Sequence, residues 1–200
     1  MPVNEETNLW AKQVRELHKT RLTQAGYEGF RDSIDDEYHA VGVYFFVRKD
    51  QSIVLTSRVN TRNSSYRFPF EMGERPDGKS YIYQDASPSV DINTYSLIPK
   101  YRKKAMPLLL ASIGKYIKNL QAKRAFCLVD RENKAVQRIY QEAKFFYSPT
   151  FNESIAFPSF LRTVDQLPVQ WRIMEWDEAI INYYSQMHRD LSVEKLAQTC

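Results

Sequence analysis

Apolar residues along the chain switch between a spacing near 3.6 and short alternating or unbroken β-branched and aromatic runs, and the switches predict the elements. Leu9, Val14, Leu17 and Leu22 fall broadly on one face with charges between them, which predicts a helix over 5–25 that Gly26 ends. A loop from Tyr27 to Ala40 follows, carrying Arg31, Asp32, Asp35, Asp36, Glu37 and His39. Val41–Val47 and Ile53–Val59 flank the polar turn Lys49-Asp50-Gln51 and read as a hairpin. From Thr61 to Pro88 the pattern is irregular, with Pro69, Gly73, Pro76, Gly78 and Pro88; a stretch of that length inside a compact domain reads as functional or partly structured. Ile92–Ile98 is a further strand, stopped by Pro99. Arg102–Leu120 is a long helix with Leu108, Leu109, Ile113, Ile117 and Leu120 on its apolar side. Ala125–Val129 is a short buried strand, Asn133–Ala143 a helix with Val136, Ile139 and Tyr140 inward, and Phe145–Tyr147 the start of another strand. Val169–Trp176 is a late strand, and Asp177 caps a final helix to Leu191. This order predicts a mixed α/β fold in one domain over residues 1–200.

Composition narrows the class. Hydrophobic residues are 43% and charged residues 26%, enough core for a folded chain. The aromatic share of 14% admits two readings, a large apolar pocket or aromatic core packing. Net charge is +4, partly from the cluster Lys100, Arg102, Lys103 and Lys104. No extended basic stripe or nucleic-acid reading motif exists, so a nucleic-acid partner is not expected. A short basic cluster before a helix suits a phosphate or an acidic protein partner, or is a solvated helix start. Cys127 and Cys200 make no disulfide framework, and His18, His39 and His188 lie far apart without a CxxC or HExxH pattern, so no metal site is expected. The first residues carry no signal-peptide pattern and no run approaches about 18 apolar residues, which predicts no membrane span and a cytoplasmic location.

The chemistry concentrates between Asp91 and Tyr147. Unpaired N–H groups at a helix start are an anion site, and Lys and Arg beside them deepen it. Past the next strand stands Asn133-Lys134-Ala135-Val136-Gln137-Arg138-Ile139-Tyr140, then Lys144-Phe145. Asn133, Ala135, Tyr140 and Phe145 resemble the GNAT acyltransferase motif at its spacing, with Lys144 where a Gly is usual. The resemblance implies a GNAT fold: a central, mostly antiparallel sheet with splayed parallel strands, flanked by helices, here with an extra C-terminal helix. It implies an acyl donor whose pantetheine lies in the gap, along Ser96, Leu97 and Ile98, with an oxyanion held by an N–H near Leu97 or Ile98. It places the donor phosphate on a loop of Arg102, Lys103, Lys104 and Ala105, and Asn133 beside the donor. Tyr140 becomes a general acid or a hydrogen bond to sulfur; by residue type alone it is a core aromatic. The family's phosphate loop has glycines, whereas Arg102–Pro107 has none and Pro107 offers no N–H. That moves the donor from coenzyme A toward acyl carrier protein, an acidic partner with a single phosphodiester.

The first half resembles the carrier-protein-dependent branch of that superfamily, the long-chain N-acyl amino acid synthases and acyl-homoserine lactone synthases. Arg21, Asp35-Asp36-Glu37-Tyr38, Ser57-Arg58-Val59, Phe68-Pro69-Phe70 and Asp91 carry that resemblance. It implies transfer of a long-chain acyl group to an amino-acid α-amine, tyrosine being the expected acceptor, with no permanently bound cofactor. A coenzyme A-dependent acetyltransferase, a lactone synthase and a non-catalytic GNAT-fold module are the alternatives. Asp91, or one of Asp35, Asp36 and Glu37 through water, is the base, or Asp91 is an exposed strand-end carboxylate. Arg58, Tyr38, Asn93 and Tyr95 face the acceptor, unless Arg58 instead pairs with the acidic loop. Phe45, Phe46, Phe68, Phe70, Met106 and Leu110 would wall the acyl chain, or form ordinary core.

Overall fold

Gly26 ends the first helix in the left-handed region, at φ +82°, and the chain passes directly into a short strand where the polar pattern predicts loop. The computed structural model describes residues 5–29, 42–62 and 66–197. In chain order these form α1 (Glu5–Gln24), β1 (Tyr27–Glu28), β2 (Gly42–Lys49), β3 (Ser52–Thr61), β4 (Ser89–Leu97), α2 (Arg102–Asn119), β5 (Arg124–Asp130), α3 (Lys134–Glu142), β6 (Phe146–Tyr147), β7 (Ile155–Arg162), β8 (Pro168–Trp176) and α4 (Glu178–Ala197). Single 3-10 turns occupy Pro69–Glu71 and Pro99–Tyr101.

Among the described residues all eight strands join one sheet in the order β1-β7-β8-β5-β4-β3-β2, with β6 also beside β8. Every pair is antiparallel except β4 and β5. The sequence pattern assigns nothing to β7. Its Pro158 cannot donate to a ladder, and the pairing with β8 shifts register between Ala156 and Leu161, where that donor is not needed.

Strand alternation gives the sheet two different coats. On one face Val90 and Ile92 of β4 and Ala125, Cys127 and Val129 of β5 pack with Leu109, Ile113 and Ile117 of α2. Helix α4 lies against α2 at Gly114, where a Cβ would stand 2.5 Å from that of Tyr184, so only glycine permits this approach. On the other face Phe126 and Ile173 are covered not by a helix but by the irregular segment, through Phe68, Phe70 and Tyr83, and by Phe151. The Phe68 and Phe70 rings stack at 5.3 Å, and both lean on Phe126. One carboxylate anchors this segment. Buried Glu71 accepts from Arg62 Nε and Nη2 at 3.1 and 3.0 Å and from the N–H groups of Phe68 and Tyr83 at 2.9 and 3.0 Å. Helix α1 covers β4 on this second face, with His18 Nδ1 2.8 Å from Ser96 Oγ and Trp10 stacked on Phe46.

Lys144 takes the left-handed conformation that ends α3, at φ +62°, with its N–H donating to Gln141 O and that of Phe145 to Tyr140 O, both at 2.9 Å. A glycine accepts this conformation without the Cβ clash. Lys144→Gly is therefore expected to raise stability by about 0.5–1 kcal/mol in urea titration, less the cation–π contact of Lys144 on Tyr183 at 4.6 Å.

No helix among the described residues is long and apolar enough to cross a membrane. Nor, among them, do three His, Cys, Asp or Glu side chains converge as metal ligands.

Candidate active site

Parallel strands β4 and β5 pair over only three rungs, Ser89–Arg124, Val90–Ala125 and Asp91–Phe126, and then part. The far half of β4 stays bonded to β3, so an opening lies along its other edge. Ile98 N–H donates to Val54 O at 2.9 Å, which makes Val54 and Ile98 a hydrogen-bonded pair. Antiparallel alternation then turns the N–H and C=O of Leu97, paired with Leu55, away from β3 and toward the gap. Of the two expected oxyanion donors, Ile98 is thus already used within the sheet, and Leu97 is the one that faces the gap.

A β-bulge changes which side chains share a face. Arg58 pairs with Asn93 but Thr56 with Ser96, so Thr94 and Tyr95 together oppose Ser57. Strict alternation puts Asn93 and Tyr95 on one face. The extra residue instead leaves Asp91, Asn93 and Ser96 on the α1 side and brings Tyr95 over to the helix-covered side with Val90, Ile92 and Leu97. Tyr95 is therefore not grouped with Arg58 and Asn93, the residues expected beside it at the acceptor. The Ser96 hydroxyl likewise meets His18 of α1 rather than the gap.

On the α1 side, Asp91 and Arg58 are 1% and 2% exposed. The exposed strand-end reading of Asp91 is thus wrong. Asn93 joins the two: its Nδ2 donates to Asp91 Oδ2 while its Oδ1 accepts from Arg58 Nε at 2.9 Å. Tyr66 OH donates to the same Asp91 oxygen at 3.3 Å, and Arg58 Nη1 donates to Tyr44 OH at 3.1 Å. Burial pushes the Asp91 carboxyl up to about 7, against the opposing effects of Arg58, Asn93 and Tyr66. A carboxyl with that value exchanges protons near neutrality, as a general base must.

On the helix-covered side, Tyr140 is buried, its ring 5.6 Å from that of Tyr95 and 5.4 Å from Phe145. Burial holds its hydroxyl well above the ordinary value, so it stays protonated as a donor. The Cys127 thiol is also buried and raised, first by desolvation and then by the Asp91 charge, which leaves it an inert part of the wall. The stretch from Arg102 to Pro107 is not a loop but the opening of α2, with Ala105 and Met106 buried and Pro107 inside the helix. A 3-10 turn precedes it, so the Arg102 N–H already donates to Pro99 O, and exposed Lys103 and Lys104 flank this start. Arg102 pairs with Glu142 of α3 across the mouth of the gap.

Other expected residues divide. Asn133 is the N-cap of α3: its Oδ1 accepts from Val136 N–H at 3.1 Å, and its Nδ2 donates to Tyr27 OH at 3.4 Å. The six acyl-chain residues do not line one tunnel. Phe68 and Phe70 are filled core on the α1 side of the sheet, while Met106 and Leu110 belong to the opposite core. Phe45 and Phe46 instead line a cleft of about 670 Å³ between β2 and α2, with Val47, Leu108 and Leu109 and with the polar side chains of Arg48, Asp50, Ser112 and His188. Arg21 bonds Gln24 on its own helix at 2.8 Å. Asp36 and Tyr38 lie outside the described residues. Sequence reasoning misses Tyr66 and Tyr44; Tyr44 stands directly across β2–β3 from Arg58, a signal available once the hairpin register is set.

A sheet that opens between two parallel strands, beside a helix N-terminus, is the architecture of the GNAT acyltransferases, and the chain has that fold. Among solved structures it is similar to FeeM, an N-acyl amino acid synthase from uncultured soil microbes, with a TM-score of 0.59, 8% identity, and coverage of 88% of this chain and 93% of that one. It is also similar to Arabidopsis thaliana NAA60 in complex with acetyl-CoA, with a TM-score of 0.55, 12% identity, and coverage of 84% and 94%. No family model matches the sequence, and no curated protein matches it.

Proposed function

We propose that this chain is an N-acyltransferase that moves a long-chain acyl group from the thioester of an acyl carrier protein to the α-amine of an amino acid, tyrosine being the expected acceptor. The observation that carries this reading is the position of buried Asp91 and Arg58 at the rung where β4 and β5 part. An amine must lose a proton to attack a thioester, and Asp91 is the base that takes it. Arg58, one Asn93 side chain away, presents a planar cation suited to the acceptor's carboxylate. The Leu97 N–H holds the oxyanion that forms as the nitrogen attacks. The C–S bond then breaks, its electron pair stays with the sulfur, and the sulfur takes a proton from the Tyr140 hydroxyl, which regains one from the attacking nitrogen as the amide forms. Glycine-free Arg102–Pro107 suits a donor with one phosphodiester, and the exposed cations Lys100, Lys103 and Lys104 suit an acidic carrier. The cleft beside Phe45 and Phe46 is in the size range of small-molecule sites and is assigned to the acyl tail. FeeM, an N-acyl amino acid synthase, shares the fold, which supports acyl transfer to an amino acid on it.

The test is turnover of purified protein with acyl carrier protein loaded with long-chain acyl groups, alongside acyl- and acetyl-coenzyme A, with tyrosine as acceptor. Mass spectrometry should find N-acyltyrosine from the carrier donor. Acetylated product from acetyl-coenzyme A alone would replace this reading with that of a coenzyme A enzyme. Tyr140→Phe is expected to lower kcat about 10–100-fold with little change in donor KM, because its hydroxyl matters as sulfur departs.

A further inference from the structure

Tyr95 is carried by the bulge of β4 onto the helix-covered side of the gap. Its ring packs on Tyr140, and the Arg102–Glu142 pair at the gap mouth is close enough for both charges to act on its hydroxyl. The hydroxyl therefore lies between the tyrosine near the reacting sulfur and the α2 N-terminus that would receive phosphate. Its oxygen is buried, yet among the described residues it has no hydrogen-bond partner. A buried hydroxyl without a partner destabilises a fold, and phenylalanine would fill the same space without that penalty. A ligand group is the simplest reason to retain it. The arm of the donor that must cross this stretch is pantetheine, whose two amide carbonyls are acceptors.

We infer that the Tyr95 hydroxyl is a donor-binding group that gives a hydrogen bond to an amide carbonyl of the pantetheine arm. This rests on the acyltransferase reading, but it concerns only the arm that coenzyme A and acyl carrier protein share. Desolvation holds the hydroxyl above its ordinary value, which fits a hydrogen-bond donor that keeps its proton throughout. No bond to Tyr95 is made or broken.

The experiment compares the wild type with Tyr95→Phe in two measurements that need no turnover. In thermal unfolding without ligand, the variant should melt about 3 °C higher, because an unpaired buried hydroxyl has been removed. In calorimetry, its affinity for free pantetheine should fall roughly fivefold to tenfold. Inorganic phosphate, which lacks the amides, should bind both proteins equally. An unchanged or lower melting temperature would overturn the inference, as would equal pantetheine affinities or an equal loss with phosphate. Wild type that binds pantetheine without transferring acyl groups would defeat the acyltransferase reading and leave this one standing; wild type that fails to bind pantetheine would defeat both.

Discussion

Asp91→Asn is expected to cut acyl transfer by about 10²–10⁴-fold while making the protein more stable at pH 8. The loss follows from the proposed role of Asp91 as the group that takes the amine's proton. The variant should fold unchanged around the site, since an amide oxygen at this position accepts from Tyr66 and Asn93 as the carboxylate does. The gain follows from linkage. Burial raises Asp91 from 3.8 to about 7, so between those values the folded protein holds a proton that the unfolded chain has lost. Its contribution is greatest below about pH 4, declines as pH rises to about 7, and is level above. The substituted amide does not titrate, so the variant's advantage should grow over the same window, toward roughly 4 kcal/mol at about 1.36 kcal/mol per unit. Urea titrations at pH 4 and pH 8 check the stability arm; equal differences at both would remove the buried proton from the account. In the wild type, kcat/KM should rise with pH and level off with an apparent pKa of about 7, and a flat profile from pH 5 to 8 would exclude Asp91 as the base.

Glu71→Ala should be the most damaging single change to the fold, costing about 3–5 kcal/mol, or roughly 10 °C in Tm. Two buried backbone N–H groups, of Phe68 and Tyr83, would lose their acceptor, and Arg62 its bidentate partner. Burial by itself would raise the Glu71 carboxyl, but Arg62 and those two N–H groups hold it below the usual range. The carboxylate's contribution is therefore present above the ordinary carboxylate range and lost as pH falls through the depressed value. The difference between wild type and variant should shrink toward acid pH, and a thermal melt series from pH 7 to pH 3 measures it. If the segment bearing Phe68, Phe70 and Tyr83 were held by its aromatic contacts alone, the substitution would barely move Tm.

Elements defined by local periodicity are legible in the sequence. The hairpin around Lys49–Gln51, the helix beginning at Arg102 and the helix capped by Asn133 fall within a few residues of their predicted bounds, because each signal lies within one element. Asp91 and Arg58 are legible as charged residues in strand patterns, which seldom stand there without a task. What is not legible depends on how distant segments meet. Nothing in Phe68-Pro69-Phe70 says which face of the sheet these rings will cover, so sequence reasoning groups them with Met106 and Leu110, which pack on the other. The use of the Ile98 N–H depends on its antiparallel partner Val54. Pro158 hides β7 because only the register against β8 shows that its missing donor does no harm. The placement of Tyr95 needs the bulge, and the bulge is visible only in the pairing of β4 with β3.

That bulge works as a frameshift written in space. Upstream of it, odd positions of β4 face α1 and even ones the helix-covered core; downstream the parity is reversed, so Tyr95 and Leu97 turn toward the core and Ser96 toward α1. Any alignment of this strand with a relative that lacks the extra residue will match letters correctly and still exchange the two faces of the sheet beyond the bulge.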